Sequence, residues 1–274
     1  MSMRALQSSP GLIAPTMAVL LSLAGSAQAG ILFSDGFAYA NGNLAGNAGG
    51  TGWASGSQWT GGTGLTGNRV SGGSVQIASG AGVTARTLST TYVTGVTSYF
   101  VSFVFNASPF QGGFGEYAGV TLALASDATQ SLFMGMPGNS GNLGFDWTNR
   151  GDGLYAATSA TDYLVLFEIR AGASVASVLM YATTNLSMSG SALAATTALA
   201  SLMNEPMFSF DTVQISGGYT PGVISLAGLA MADNPTDAVA FTQSVVPGPA
   251  PLALGLLAGA FGGRGVRARR RRDR

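Results

Sequence analysis

The chain contains no cysteine and no histidine, and its twelve basic residues are all arginine. Without cysteine there is no disulfide framework and no thiol chemistry. Without histidine the Ser-His-Asp and Cys-His nucleophile systems are excluded, and zinc loses its commonest protein ligand. Calcium stays open as a cofactor, because oxygen ligands alone suffice for it. Charge of either sign is scarce at 9% of residues, and glutamate occurs only as Glu116, Glu168 and Glu205. Retaining glycoside hydrolases need two carboxyls about 5 Å apart. These glutamates are separated by 52 and 37 residues, so no strand carries two of them. Asp162 and Glu168 straddle one strand, but at about 3.3 Å per residue they stand roughly 20 Å apart. The chain therefore reads as non-enzymatic.

The little charge present is unevenly placed. Between Gly30 and Gly263 four arginines (Arg69, Arg86, Arg150, Arg170) face eleven carboxylates, a net charge of −7. Such a body has no electrostatic footprint for nucleic acid or anionic lipid. The opposite sign is concentrated at the two ends.

At the N-terminus, Arg4 supplies a positive region and Gly11 to Ala24 an apolar one. Ala27-Gln28-Ala29 then forms an A-x-A cleavage site, leaving Gly30 as the first mature residue. Residues 1–29 are thus expected to be a signal peptide taken up by the secretion translocon. The plain alternative is an N-terminal extension that happens to be apolar.

The C-terminus, residues 246–274, has three parts. Val246-Pro247-Gly248-Pro249 precedes an uncharged run from Ala250 to Gly263. Then come Arg264, Arg267, Arg269, Arg270, Arg271, Arg272 and Arg274. An arginine cluster stays on the cytoplasmic side, so the apolar run before it stalls in the membrane with the preceding domain outside. As a helix, 14 residues reach about 21 Å, short of the roughly 30 Å hydrocarbon core, which suits a transient anchor. A buried C-terminal helix with a solvated basic end, or a nucleic-acid-binding tail, fits the same residues less well beside a secretory N-terminus. In order and spacing the three parts resemble the bacterial PEP-CTERM sorting signal, with Gly248 where that family usually has glutamate. The resemblance implies processing by an exosortase. The protein would be exported, held briefly in the inner membrane, and then left at the cell surface or outside the cell.

The body, residues 30–245, is long enough for one substantial core. Strand-length runs rich in β-branched and aromatic residues alternate with Gly, Ser and Asn: Ser74–Ile77, Val83–Leu88, Tyr99–Phe105, Gly119–Leu124, Leu132–Met136, Leu143–Trp147, Tyr163–Arg170, Ser177–Ala182 and Phe208–Ile215. Tyr163–Arg170 is apolar on both faces until Glu168 and Arg170, the pattern of a strand buried inside a sandwich and emerging at its rim. Ser191–Met203 reads as a helix or a crossing loop. So many strands predict an all-β fold, an antiparallel two-sheet β-sandwich of jelly-roll type. The segment Ser34-Asp35-Gly36-Phe37-Ala38-Tyr39, continuing through Gly42-Asn43-Leu44 to Gly49-Gly50-Thr51-Gly52-Trp53, resembles the opening of concanavalin-A-like (LamG-type) domains. Phe210–Ile215 is similar to their closing strand, and the resemblance spans about Leu32 to Phe241.

Two functions are compatible with this body. One is a structural module displayed at the cell surface or in the extracellular matrix. The other is a carbohydrate-binding module for exopolysaccharide. For the second, Trp147 is the candidate stacking residue, at a strand end before a polar loop, while Trp53 reads as a core plug. Asp146 and Asp152 flank that loop and are candidate calcium ligands, although Asp-Gly is also an ordinary turn signal. No other metal site is expected.

Overall fold

The computed structural model describes residues 30–62, 67–77, 82–108, 116–138, 140–148, 150–218 and 223–246. The expected signal peptide and nearly all of the sorting tail therefore lie outside the described residues.

The elements begin with β1 (Ile31–Asp35), β2 (Gly42–Asn43), β3 (Thr60–Gly61), β4 (Arg69–Ser71), β5 (Ser74–Ile77) and β6 (Thr84–Val93). The middle of the chain supplies β7 (Tyr99–Ser108), β8 (Tyr117–Leu124), β9 (Asp127–Met136), β10 (Leu143–Trp147) and β11 (Gly151–Tyr155). Then follow β12 (Tyr163–Ala171), β13 (Val175–Thr183), α1 (Gly190–Ala194), β14 (Ala200–Pro206), β15 (Ser209–Gly218), β16 (Val223–Ala232) and α2 (Pro235–Val245). They form two sheets whose described pairings are all antiparallel. The nine-stranded sheet runs β14-β13-β12-β7-β16-β5-β4-β2, with β1 also pairing β16. The seven-stranded sheet runs β11-β10-β9-β8-β15-β6-β3.

Alternation along the strands puts one face of each sheet into a shared core. Phe33, Phe103, Phe105, Phe145, Phe167 and Phe210 meet there, all fully buried. A second cluster covers the outer face of the nine-stranded sheet. Leu164, Leu166, Leu179 and Tyr181 pack there under Leu193 of α1 and Ala238 and Val239 of α2. This is why β12 is apolar on both faces: Val165 and Phe167 face the other sheet, while Leu164 and Leu166 face the helices.

Helix α2 follows local rules. Asn234 is its N-cap, accepting from Asp237 N–H, and Pro235 occupies the first turn with its fixed φ. It lies close on β16 because Gly228, at φ +61°, has no Cβ to meet the Thr242 carbonyl, and the Thr242 hydroxyl donates to Gly228 O at 2.7 Å.

Three sequence expectations need correction. Ser191–Met203, read as a helix or a crossing loop, is neither throughout: helix is confined to the single turn of α1, and Ala200 onward is strand β14. Phe210–Ile215 is not a closing strand: β15 lies between β8 and β6, and β16 follows it in the other sheet. Trp53 is only half-buried, and the tryptophan that plugs the core behind the opening glycines is Trp59.

Candidate functional site

The opening motif builds a polar cluster inside the sandwich. Asp35 ends β1, and its carboxylate accepts from Phe37 N–H at 2.8 Å, Trp59 Nε1 at 2.8 Å, the Tyr39 hydroxyl and Arg86 Nη1 at 3.2 Å. Arg86 reaches across from β6 and also donates to the carbonyls of Gly49 and Ser57. The glycines let the loop close over this cluster. A Cβ on Gly50 would lie 1.7 Å from the Ser34 carbonyl oxygen, and one on Gly52 would lie 2.0 Å from that of Leu32. Burial, and then the hydrogen bond to Asp35 and its negative charge, pushes the Tyr39 phenol above its ordinary range. The arrangement joins the two sheets, and Arg86 at its edge also lines a shallow cleft with Gly49, Trp53 and Ser57.

The tryptophans do not form a stacking platform. Trp147, expected to be exposed, is fully buried and packs edge-on to Phe208, ring centroids 5.3 Å apart. The reason is alternation: Leu143, Phe145 and Trp147 share the inward parity of β10, while Asp146 points out. Trp59 is buried too, and half-buried Trp53 holds the Arg86 guanidinium 4.4 Å from its ring centroid.

Asp146 and Asp152 do come together. They are directly opposed across the β10–β11 hairpin and exposed on the outer face of the seven-stranded sheet. Burial, and secondarily the negative charge of Asp152, raises the Asp146 carboxyl above its ordinary value. Among the described residues no third carboxylate joins them as a metal-holding group.

That outer face is the more accessible of the two large faces. Both helices pack on the nine-stranded sheet, and among the described residues the seven-stranded sheet carries no such cap. Cross-strand register places Asp152, Asp146, Phe133, Thr121, Gln214, Ala85 and Thr60 in one row. The neighbouring row runs Leu154, Gly144, Gly135, Gly119 and Ser216, three of its five positions lacking a side chain. Phe133 leans over Gly119, where a Cβ would come within 2.9 Å of its ring, and meets Tyr117 edge-on at 6.1 Å. Two half-buried aromatics thus stand on a shallow floor of glycine, hydroxyl and amide groups. Sequence reading did not single out Tyr117 or Phe133; the signal available was their parity, opposite to buried Ala118, Leu132 and Met134.

Of the processing residues, Gly30 lies just ahead of β1 and Val246 caps α2. Ala27, Ala29, Pro247, Gly248, Pro249 and the seven C-terminal arginines lie outside the described residues. Among the described residues no helix is long and apolar enough to cross a membrane.

No protein-family model and no curated protein matches the chain. Among solved structures, it is similar to the botulinum neurotoxin serotype C1 binding domain, with TM-score 0.50 and 10% identity over 79% of this chain and 52% of that one. It is also similar to the botulinum neurotoxin DC binding domain in complex with SialylT, with TM-score 0.44 and 11% identity over 69% of this chain and 45% of that one. A third is a bifunctional GH43-CE protein of Bacteroides eggerthii, with TM-score 0.46 and 12% identity over 73% of this chain and 27% of that one. The chain spans about half the length of the neurotoxin domains it matches. At such identities the likeness is one of fold alone, and the fold is the antiparallel two-sheet β-sandwich.

Proposed function

We propose that this is an exported bacterial surface or extracellular-matrix protein without catalytic activity. It is released from the secretion translocon at Gly30 and sorted by an exosortase through residues 246–274. What supports this reading is the position of the two expected processing points relative to the described elements. Among the described residues the first element begins at Ile31, and the last ends at Val245 with Val246 as the cap. Both processing points expected from the sequence fall just outside these elements, so cutting at either leaves every described strand and helix intact. The test is mass spectrometry of both termini in membrane and extracellular fractions. The secreted parent should start at Gly30 and lack the arginine cluster, while deletion of Val246–Pro249 should leave uncleaved protein in the membrane. Extracellular protein still carrying Met1 and Arg274 counts against the proposal.

A second reading, binding of exopolysaccharide, is favoured by the outer face of the seven-stranded sheet. Sugar rings stack on aromatic faces and pair their hydroxyls with neutral polar groups, and Tyr117, Phe133, Thr121 and Gln214 bring both together. In a polysaccharide panel, Phe133→Ala and Tyr117→Ala should each weaken binding about tenfold, the scale of one aromatic contact. Trp147→Phe should leave binding unchanged. If none of the three alters binding, or no polysaccharide is bound, this reading falls and the display role remains.

A further inference from the structure

Gly30 sits inside the acidic N-terminus of α2. Its φ is +118°, and a Cβ there would lie 2.5 Å from Asp237 Oδ2, 2.7 Å from Asp233 Oδ1 and 2.8 Å from Asn234 Nδ2. Asn234 Nδ2 donates to both carboxylates, at 2.9 Å to Asp233 Oδ1 and 2.8 Å to Asp237 Oδ2. Asp233 N–H donates to the Gly30 carbonyl at 3.0 Å. The ion pairs among the described residues are Arg86–Asp35 and Arg170–Glu168, so these two carboxylates have no side-chain cation there. The Gly30 nitrogen is bonded to the same Cα, and backbone geometry keeps it within about 5 Å of both carboxylates.

We propose that cleavage of the Ala29–Gly30 bond creates an α-ammonium that Asp233 and Asp237 hold, clamping β1 to α2 in the mature protein. The proposal rests on the export reading. The chemistry is peptide hydrolysis: the C–N bond breaks, water supplies the second oxygen of the Ala29 carboxylate, and its two hydrogens end on the Gly30 nitrogen as ammonium. In the precursor that nitrogen is a neutral amide, and the carboxylates answer the Asn234 amide and the partial positive charge of the helix N-terminus. After cleavage a full positive charge arrives between them. Glycine alone suits the position, because a side chain would run into both carboxylates in a backbone conformation that L residues rarely adopt. Since Ile31 pairs with Ala232, the clamp fastens the first strand where it enters the sheet.

The absence of lysine makes the test selective: once the chain starts at Gly30, its α-amino group is the only primary amine. Secreted protein, its start confirmed by N-terminal sequencing, is acylated with an N-hydroxysuccinimide ester across a pH series and read by mass spectrometry. A free α-amino group titrates at about 7.7–8.0. The parent amine should titrate above this range and acylate about tenfold slower at pH 7, below both titrations, than in Asp233→Asn/Asp237→Asn, one unit being tenfold. Asp233→Asn alone, which leaves the first turn of α2 intact, should fall between. Acylation should also lower the thermal midpoint of the parent and leave that of the double variant in place. Equal rates and equal pH profiles in folded parent and both variants, all starting at Gly30, overturn the clamp and leave export standing. A secreted chain that starts elsewhere overturns both the clamp and the expected cleavage at Gly30.

Discussion

The Asp35 carboxylate and the Arg86 guanidinium meet at 3.2 Å with side chains 2% and 5% exposed, and they come from different sheets. A charge pair this deep is expensive unless its remaining groups are satisfied. Here the glycine-rich loop, Tyr39 and Trp59 supply nearly all of the partners, leaving only Arg86 Nε without one. The motif that resembles the opening of concanavalin-A-like domains thus builds a junction between sheets.

Removing one partner should therefore be costly. Arg86→Met leaves the Asp35 carboxylate buried without its cation and should lose about 3–5 kcal/mol of stability. Urea unfolding measures this. A midpoint within error of the parent's would mean the pair holds nothing together.

The glycines allow a controlled comparison. Gly50 and Gly56 have nearly the same φ, +70° and +71°, but a Cβ at Gly56 meets nothing within 4 Å. Gly56→Ala should cost only the left-handed conformation, about 1–2 kcal/mol. Gly50→Ala adds a collision with the Ser34 carbonyl and should cost at least about 2 kcal/mol more. Equal losses would show that the loop shifts freely away from β1.

Alkali should unfold the protein by a definite route. Tyr39, Tyr92, Tyr99 and Tyr181 all have phenols raised above the ordinary value, each chiefly by burial. The folded state then keeps protons that the unfolded chain has lost. That contribution is complete below the unfolded tyrosine value of about 10 and disappears as pH climbs through the folded values. The thermal midpoint should hold steady up to about pH 10, as far as these groups decide it, and fall beyond. Tyr39→Phe should start lower, having lost its hydrogen bond to Asp35, but should decline less steeply. A decline as steep as the parent's would remove Tyr39 from the explanation.

Much of this fold was legible in the chain. Strands of β-branched and aromatic residues, such as β7 and β12, announced themselves by composition and by Gly or Asn at their ends. The strand β16, Val-Ile-Ser-Leu-Ala-Gly-Leu-Ala-Met-Ala, did not, because it lies beneath α2 and is built from small residues. The reading of Trp147 gave weight to the polar loop after it, when its parity with Leu143 and Phe145 already aimed it inward. The pairing of Asp146 with Asp152 was nearer the surface of the sequence, as two acids flanking a short polar loop. The junction at Arg86 had no local signal, since its partner stands 51 residues away.

The pair Asp146 and Asp152 gives the last prediction. The Asp146 carboxyl is raised by burial and then by its neighbour's charge. A carboxyl raised in the folded state contributes stability fully below the unfolded value of about 3.9 and loses it as pH rises through the folded value. The negative charge of Asp152 across the hairpin disfavours the ionised form of Asp146. Asp146→Asn should therefore raise stability at pH 7, within the roughly 0.2–1 kcal/mol range of cross-strand pairs and toward its low end because solvent reaches both groups. The gain should vanish toward acid pH, where the parent carboxyl is itself protonated. Calcium supplies the opposite charge without mutation. If the pair binds it, millimolar calcium chloride should raise the parent's midpoint and leave Asp146→Asn unmoved, with sodium chloride of equal ionic strength as the control. Equal shifts in both proteins would reduce calcium to general screening, and the two acids to ordinary residues of a tight turn.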